Sequence, residues 1–161
     1  MGKIVKKGVL LHDIRRMIEE TRSSVATVVN AGLTMLYWQI GKRINKEILK
    51  GERAEYGAGI LPTLSEKLVL EYGNGFSEKN LRRMLQFAEV FPEERIVVSL
   101  IGQLIWTHII ALIPLKEPFQ RDFYAEMCRV ERWSVRTLRQ KIDSMLYERT
   151  ALSKKPEKLI R

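Results

Sequence analysis

Apolar side chains recur every three or four positions over a long stretch near the start of the chain: Leu10, Ile14, Met17 and Ile18, Val25, Val28 and Val29, Leu33, Leu36, Ile40, Ile44 and Ile48. That spacing is the helical period, sustained for longer than one globular helix usually runs. It predicts one long helix or a helical hairpin, with Asn30-Ala31-Gly32 the weakest point and Gly41 the second. The stripe either packs inside the monomer or drives association with another copy, and Tyr37 and Trp38 supply large anchors in both cases.

Residues 51–59 (GERAEYGAG) read as a loop, with Pro62 in the first turn of the next helix and Leu64, Leu68 and Leu70 on its apolar side. Tyr72-Gly73-Asn74-Gly75 is dense in residues that tolerate positive φ and should end that helix. Phe76-Ser77 then reads as a new start, Ser77 capping free N–H groups and Phe76 stapling onto Leu81. Beyond it Leu81, Met84, Leu85 and Ala88 share one face, while Lys79, Arg82, Arg83 and Gln86 share the other. A capped helix with a basic face, entered from a tight turn, is what a helix-turn-helix unit offers DNA. A solvated surface helix gives the same pattern.

Residues 96–115 carry no formal charge over twenty positions, which meets the length of a membrane span. Ser99, Gln103, Thr107 and His108 would then sit in lipid, and Gly102 and Pro114 interrupt the run. A short buried strand or turn followed by a core helix to about Leu112 accounts for it better. Amphipathic helix returns at Glu117, with Pro118 in the first turn and Phe119, Phe123, Met127 and Val130 as the apolar side. The aromatic–Ser–x–x–x–Leu–Arg design of Phe76 to Arg82 then recurs 57 residues later as Trp133 to Arg139. Arg136, Arg139 and Gln140 take one face there and Leu138, Ile142 and Met145 the other, with Asp143 among the basic residues. Two such units in one chain strengthen the nucleic-acid reading.

Charge sharpens it. The 161 residues suffice for one domain or two small ones, and the net charge of +9 favours polyanions, nucleic acid first and an anionic membrane surface second. A single cysteine, Cys128, excludes an internal disulfide, fits a reducing cytoplasm, and reads as a buried thiol. The first sixteen residues match neither a signal peptide nor a myristoylation signal. His12 and His108 are far apart, and His108, in the most apolar stretch, reads as a hydrogen-bonded core residue. No nucleotide-binding loop, zinc-finger spacing or nucleophile elbow occurs. No catalytic constellation, metal site or cofactor is expected.

An ordered set of landmarks runs through most of the chain: Ile40-Gly41-Lys42-Arg43-Ile44, Tyr56-Gly57, Leu64-Ser65, Tyr72-Gly73-x-Gly75-Phe76-Ser77-x-x-Asn80-Leu81, Trp106-Thr107-His108, Trp133-Ser134-Val135-Arg136 and Leu146-Tyr147-Glu148-Arg149. In these the chain, from about residue 10 to 150, resembles the N-terminal domain of the YhcG-like family of bacterial proteins designated nucleases. The resemblance implies a helical domain associated with DNA binding, ahead of a PD-(D/E)XK nuclease domain. The family's Ser-Trp-Ser-His is here Ile105-Trp106-Thr107-His108, so Trp106, His108 and Trp133 are family positions without an assigned role. A PD-(D/E)XK site needs an Asp and a Glu-x-Lys around a divalent metal, and no Glu-x-Lys occurs in this sequence.

The expectation is therefore an all-α, multi-helix, non-catalytic domain over residues 1–150, followed at 151–161 by a basic linker toward a further nuclease domain. Lys79, Asn80, Arg82, Arg83 and Gln86 form one nucleic-acid face, with Asn80 the best reader of a base edge, and Arg136, Arg139 and Gln140 form a phosphate-binding second. DNA is favoured over RNA, since no aromatic stacking platform for single strands is evident. The rival is an oligomerisation or protein-interaction module built on the stripe from Leu10 to Ile48, with a basic surface that only keeps the chain in solution.

Overall fold

A computed structural model describes residues 2–51 and 54–154. Eight α-helices and one 3₁₀ turn, with no strand, make up the described residues: α1 (Gly2–Gly51), α2 (Ala54–Tyr72), the 3₁₀ turn (Asn74–Phe76), α3 (Glu78–Val90), α4 (Glu94–Ile101), α5 (Trp106–Leu112), α6 (Pro118–Glu131), α7 (Val135–Asp143) and α8 (Leu146–Lys154). The all-α expectation holds.

The first stripe forms one uninterrupted helix of 50 residues, about 75 Å long at 1.5 Å per residue. Neither suspected weak point breaks it. Gly32 has open space around it, so it costs some helix propensity and nothing more. Gly41 is a crossing point. A Cβ there would lie 1.9 Å from the Met84 carbonyl oxygen, so the missing side chain lets α1 and α3 meet backbone to backbone along the largest helix–helix interface of the molecule.

The stripe itself divides. Trp38 and Ile44 are buried and Ile40 and Ile48 half-buried in the domain, whereas Leu10, Ile14, Met17, Ile18, Val25, Val28, Val29, Leu33 and Leu36 are exposed. Tyr37 and Trp38 do anchor α1, and they do so inside the monomer. The Trp38 indole N–H donates to the Phe91 carbonyl at 2.7 Å, and Tyr37 packs against Trp106 with ring centroids 4.9 Å apart.

Five expected features come out differently. Of the loop expected at 51–59, Gly51 belongs to α1 and residues from Ala54 onward to α2, with Pro62 inside that helix, while 52–53 lie outside the described residues. Residues 96–115 hold two short helices joined by a turn, and no strand: the uncharged run closes its backbone hydrogen bonds locally and buries Val97, Leu100, Leu104, Ile109 and Leu112. On α6 the buried positions are Arg121, Tyr124, Ala125 and Cys128, while Phe119 and Val130 are exposed. Leu70 and Met145, assigned to apolar faces, are also exposed; Met145 follows α7 in the left-handed region at φ 59°. Of the tail at 151–161, α8 takes in residues to Lys154, and 155–161 lie outside the described residues.

Two buried clusters hold the helices. One gathers Trp38, Phe87, Leu112, Tyr124 and Leu138 with their neighbours, and the other Ile44, Leu61, Leu81 and Met84. Trp106 packs against both, its ring centroid 5.8 Å from that of Phe87. Its half-buried indole ties the two clusters into one core.

Candidate nucleic-acid interface

The chain turns sharply between α2 and α3. Gly73, at φ 98°, takes a conformation that a side chain would strain. Ser77 then caps α3, its Oγ accepting the Asn80 N–H at 3.3 Å, and Phe76 packs on the cluster that contains Leu81. Cap and staple are both in place, as the sequence pattern requires. Below them Leu81, Met84, Phe87 and Ala88 are buried, which turns a narrow polar face outward.

That face is only partly free. Lys79 and Arg82 are exposed, and Arg82 pairs with Glu78 at 2.7 Å. Asn80 is tied down at both ends: its Nδ2 donates to the Gly75 carbonyl at 3.2 Å and its Oδ1 accepts from Arg83 Nη1 at 3.1 Å. The Gln86 amide donates to the Ile113 carbonyl at 3.0 Å, spanning from α3 to the end of α5. The five candidate residues of α3 thus split into two facing solvent and three engaged in the fold.

The second unit repeats the local chemistry. Ser134 Oγ accepts the Thr137 N–H at 3.1 Å and caps α7, and Trp133 packs on the cluster that contains Leu138. Arg132, left-handed at φ 54°, turns the chain out of α6. Arg136, Arg139 and Gln140 are exposed, and among the described residues no carboxylate lies within ion-pair distance of either arginine. Lys141 sits over the Trp133 ring at 5.7 Å, and Asp143 is exposed nearby. The two basic faces are not packed on one another: α3 rests on α1 and α2, and α7 on α5, α6 and α8.

The family positions lie in the core that carries both units. His108 is buried at the start of α5. Its Nδ1 accepts the Ile105 N–H at 3.2 Å and its Nε2 lies 2.8 Å from the Trp133 carbonyl. A carbonyl only accepts and an amide N–H only donates, so these partners select the neutral imidazole with the proton on Nε2. His108 therefore replaces a capping side chain at Ile105, which has no acceptor, and fixes the α6–α7 turn to α5. An open cleft of about 440 Å³ beside it is lined by Gly102, Gln103, Cys128, Arg132 and Trp133. Burial pushes the Cys128 thiol up to about 11, which makes it a poor nucleophile and a poor metal ligand.

Arg121 carries a role that the sequence pattern hid. It is buried, donates to the Leu115 and Val90 carbonyls, and lies over the Phe91 ring at 5.5 Å. No carboxylate pairs with it among the described residues; carbonyls at the C-terminal end of α3 and after α5 take that part. A charged residue at the first position of a buried i, i+3, i+4, i+7 row breaks the apolar period, and no sequence signal compensates. Among the described residues no group of His, Cys, Asp and Glu could hold a metal ion, and no helix is long and apolar enough to cross a membrane.

Comparison with known proteins agrees with the landmarks. The chain is 33% identical, over 174 aligned positions, to the protein named "Putative nuclease YhcG" of Escherichia coli (strain K12), and the match covers 89% of this chain. It covers 46% of that relative, so the chain spans about half the length of the curated protein it matches. No solved structure matches. Residues 13–149 match the model of the DUF1016 N-terminal domain, which takes in everything from the outward arm of α1 through both capped units to α8, and the chain belongs to that family.

Proposed function

We propose that this chain is the nucleic-acid-binding N-terminal domain of a bacterial nuclease, that duplex DNA is its polymer, and that it performs no catalysis itself. The observation that carries the reading is the repeated unit: two Ser-capped helices, α3 and α7, each entered from a tight turn and each presenting exposed cations. The net charge of +9 supplies the long-range attraction. Lys79, Arg82, Arg136 and Arg139 are the phosphate contacts, Arg82 exchanging its surface pair with Glu78 for a phosphate at small cost. Asn80 reads a base edge only by giving up Gly75 and Arg83, and Arg83, Gln86 and Gln140 act as supports at the rim. The half of the relative that this chain does not match is where the PD-(D/E)XK domain belongs, and the assembly works in the cytoplasm.

The test is a titration of the chain against a random-sequence DNA duplex and the matching RNA duplex at two salt concentrations. Four phosphate contacts give a slope of log affinity against log salt of about −3.6. Arg136→Ala with Arg139→Ala should flatten it by about 1.8. No binding at low salt, or an unchanged slope in the double variant, refutes the proposal.

The exposed apolar row on α1, from Leu10 to Leu36, favours a second role alongside the first: self-association. Helix-turn-helix proteins commonly bind their sites as dimers, so the two roles are compatible.

A further inference from the structure

We infer that the outward half of α1 pairs with α1 of a second copy as a parallel, in-register coiled coil whose seam is Leu11, Ile14, Ile18, Val25 and Val28. This rests on the self-association reading and adds to it an orientation and a register. The five residues follow a 3,4 repeat, with Thr21 at the one intervening seam position. Each is between 44% and 71% exposed, and each lies on the part of α1 that precedes its contact with the domain.

Area argues that something of this kind covers the row. Nine large apolar side chains on or flanking this seam, Leu10, Leu11, Ile14, Met17, Ile18, Val25, Val28, Val29 and Leu36, are at least 40% exposed. At about half of a Leu- or Val-sized side chain each, they leave on the order of 500 Å² of apolar surface per helix. That is the upper end for a patch on a monomer, and two such faces together reach the threshold of about 1,000 Å² for a specific interface.

Geometry allows a second copy to lie alongside. Where α1 meets the domain, the buried positions are Thr34, Trp38, Gly41 and Ile44, while Leu36, on the opposite side of the same turns, is exposed. At 100° per residue the seam lies on that outer side, about 180° from the domain. Two copies can therefore pair along the seam and past Leu36, each domain facing away from its partner.

Charge selects the orientation. Arg15 and Arg22 flank the seam on one edge with Glu19 outside them, and beyond the other edge Asp13 and Glu20 already pair with Arg16 of the same helix at 3.8 and 3.9 Å. An antiparallel pair sets like edges against each other, arginine facing arginine. A parallel pair instead sets each arginine edge against the apolar edge of its partner, with the arginine stems covering Leu10 and Met17. The parallel arrangement also carries both domains, and so all four basic helix faces, at one end of the rod.

Three variants of the full chain that each add one cysteine, Leu11→Cys, Ile18→Cys and Val28→Cys, decide it, since the native Cys128 is buried and silent under native conditions. Expected are a two-copy species by sedimentation that dissociates on dilution, and disulfide-linked dimers from all three variants on mild oxidation. Val25→Asp should weaken association about 100-fold or more, by placing an unpaired charge in the seam, while leaving the circular dichroism of the domain helices unchanged. A monomer at every concentration, or an assembly of three or more copies, overturns the pairing. Cross-linking at position 18 alone, near the midpoint, overturns the parallel orientation and leaves self-association standing.

Discussion

The same substitution at two glycines of one helix should have opposite signs. At Gly41 a Cβ would stand 1.9 Å from the Met84 carbonyl oxygen, 2.5 Å from its carbon and 3.0 Å from the Leu85 nitrogen. Ordinary carbon–oxygen contacts begin near 3.3 Å, so α1 and α3 must separate by roughly 1.4 Å. The obstructing atoms are backbone in the middle of α3, and no side chain can rotate out of the way. Separation would also thin the packing of Leu81, Met84, Phe87 and Ala88, which the interface buries. Overpacking costs typically 1–3 kcal/mol and sometimes more, against a gain of about 0.5–1 kcal/mol in helix propensity from alanine. For Gly41→Ala a net loss of about 2 kcal/mol is expected, lowering Tm by roughly 4–8 °C in a chain of this size. At Gly32 nothing lies within 4 Å of the added carbon, so Gly32→Ala should raise stability by about 0.5–1 kcal/mol. Thermal and urea unfolding followed by circular dichroism, at one fixed protein concentration because association shifts both midpoints, measures the pair. If Gly41→Ala were as stable as the parent, or gained as much as Gly32→Ala, the close crossing of α1 and α3 would be refuted.

Three further outcomes follow from the core. His108→Ala removes both a donor and an acceptor, leaving the Trp133 carbonyl and the Ile105 N–H unpaired; a loss of about 2–3 kcal/mol in urea unfolding is expected, and a loss under about 0.5 kcal/mol would mean water replaces the ring. Arg121→Met should cost about 1–3 kcal/mol by orphaning the Leu115 and Val90 carbonyls, and Arg121→Lys should recover only part, since one ammonium lacks the fork that reaches both; full recovery by lysine in the same unfolding assay would contradict this. The Cys128 thiol, raised from 9.0 to about 11 by burial, favours folding in its protonated form. Its contribution is complete below pH 9 and declines by at most about 1.4 kcal/mol per pH unit between pH 9 and 11, where the unfolded chain ionises first. Cys128→Ala should flatten that decline, and native protein near pH 8 should react with a thiol reagent only at its unfolding rate.

The local grammar of this fold stands in the sequence. The stop at Gly73, the two Ser caps, the aromatic staples and the helical period of α1, α3 and α7 depend on groups within a few residues of one another, so pattern and spacing suffice to find them. The family landmarks are legible for the same reason, since each is a short string in fixed order.

What the chain does with its helices was settled only by packing. One apolar stripe on α1 became an inner face at Trp38 and Ile44 and an outer face from Leu10 to Leu36, because the remaining helices are long enough to cover only its second half. Gly41 reads as a weak point until α3 is laid across it. On α6 an arginine takes a core position while the apolar Phe119 and Val130 stay outside, because two backbone carbonyls from distant turns converge there and nothing apolar could satisfy them. The basic face of α3 divides by the same logic. Periodicity puts Lys79, Arg82, Arg83 and Gln86 together beside Asn80, and the neighbours at Gly75 and Ile113, five and twenty-seven residues away from the side chains they engage, decide which of them remain free to meet a partner.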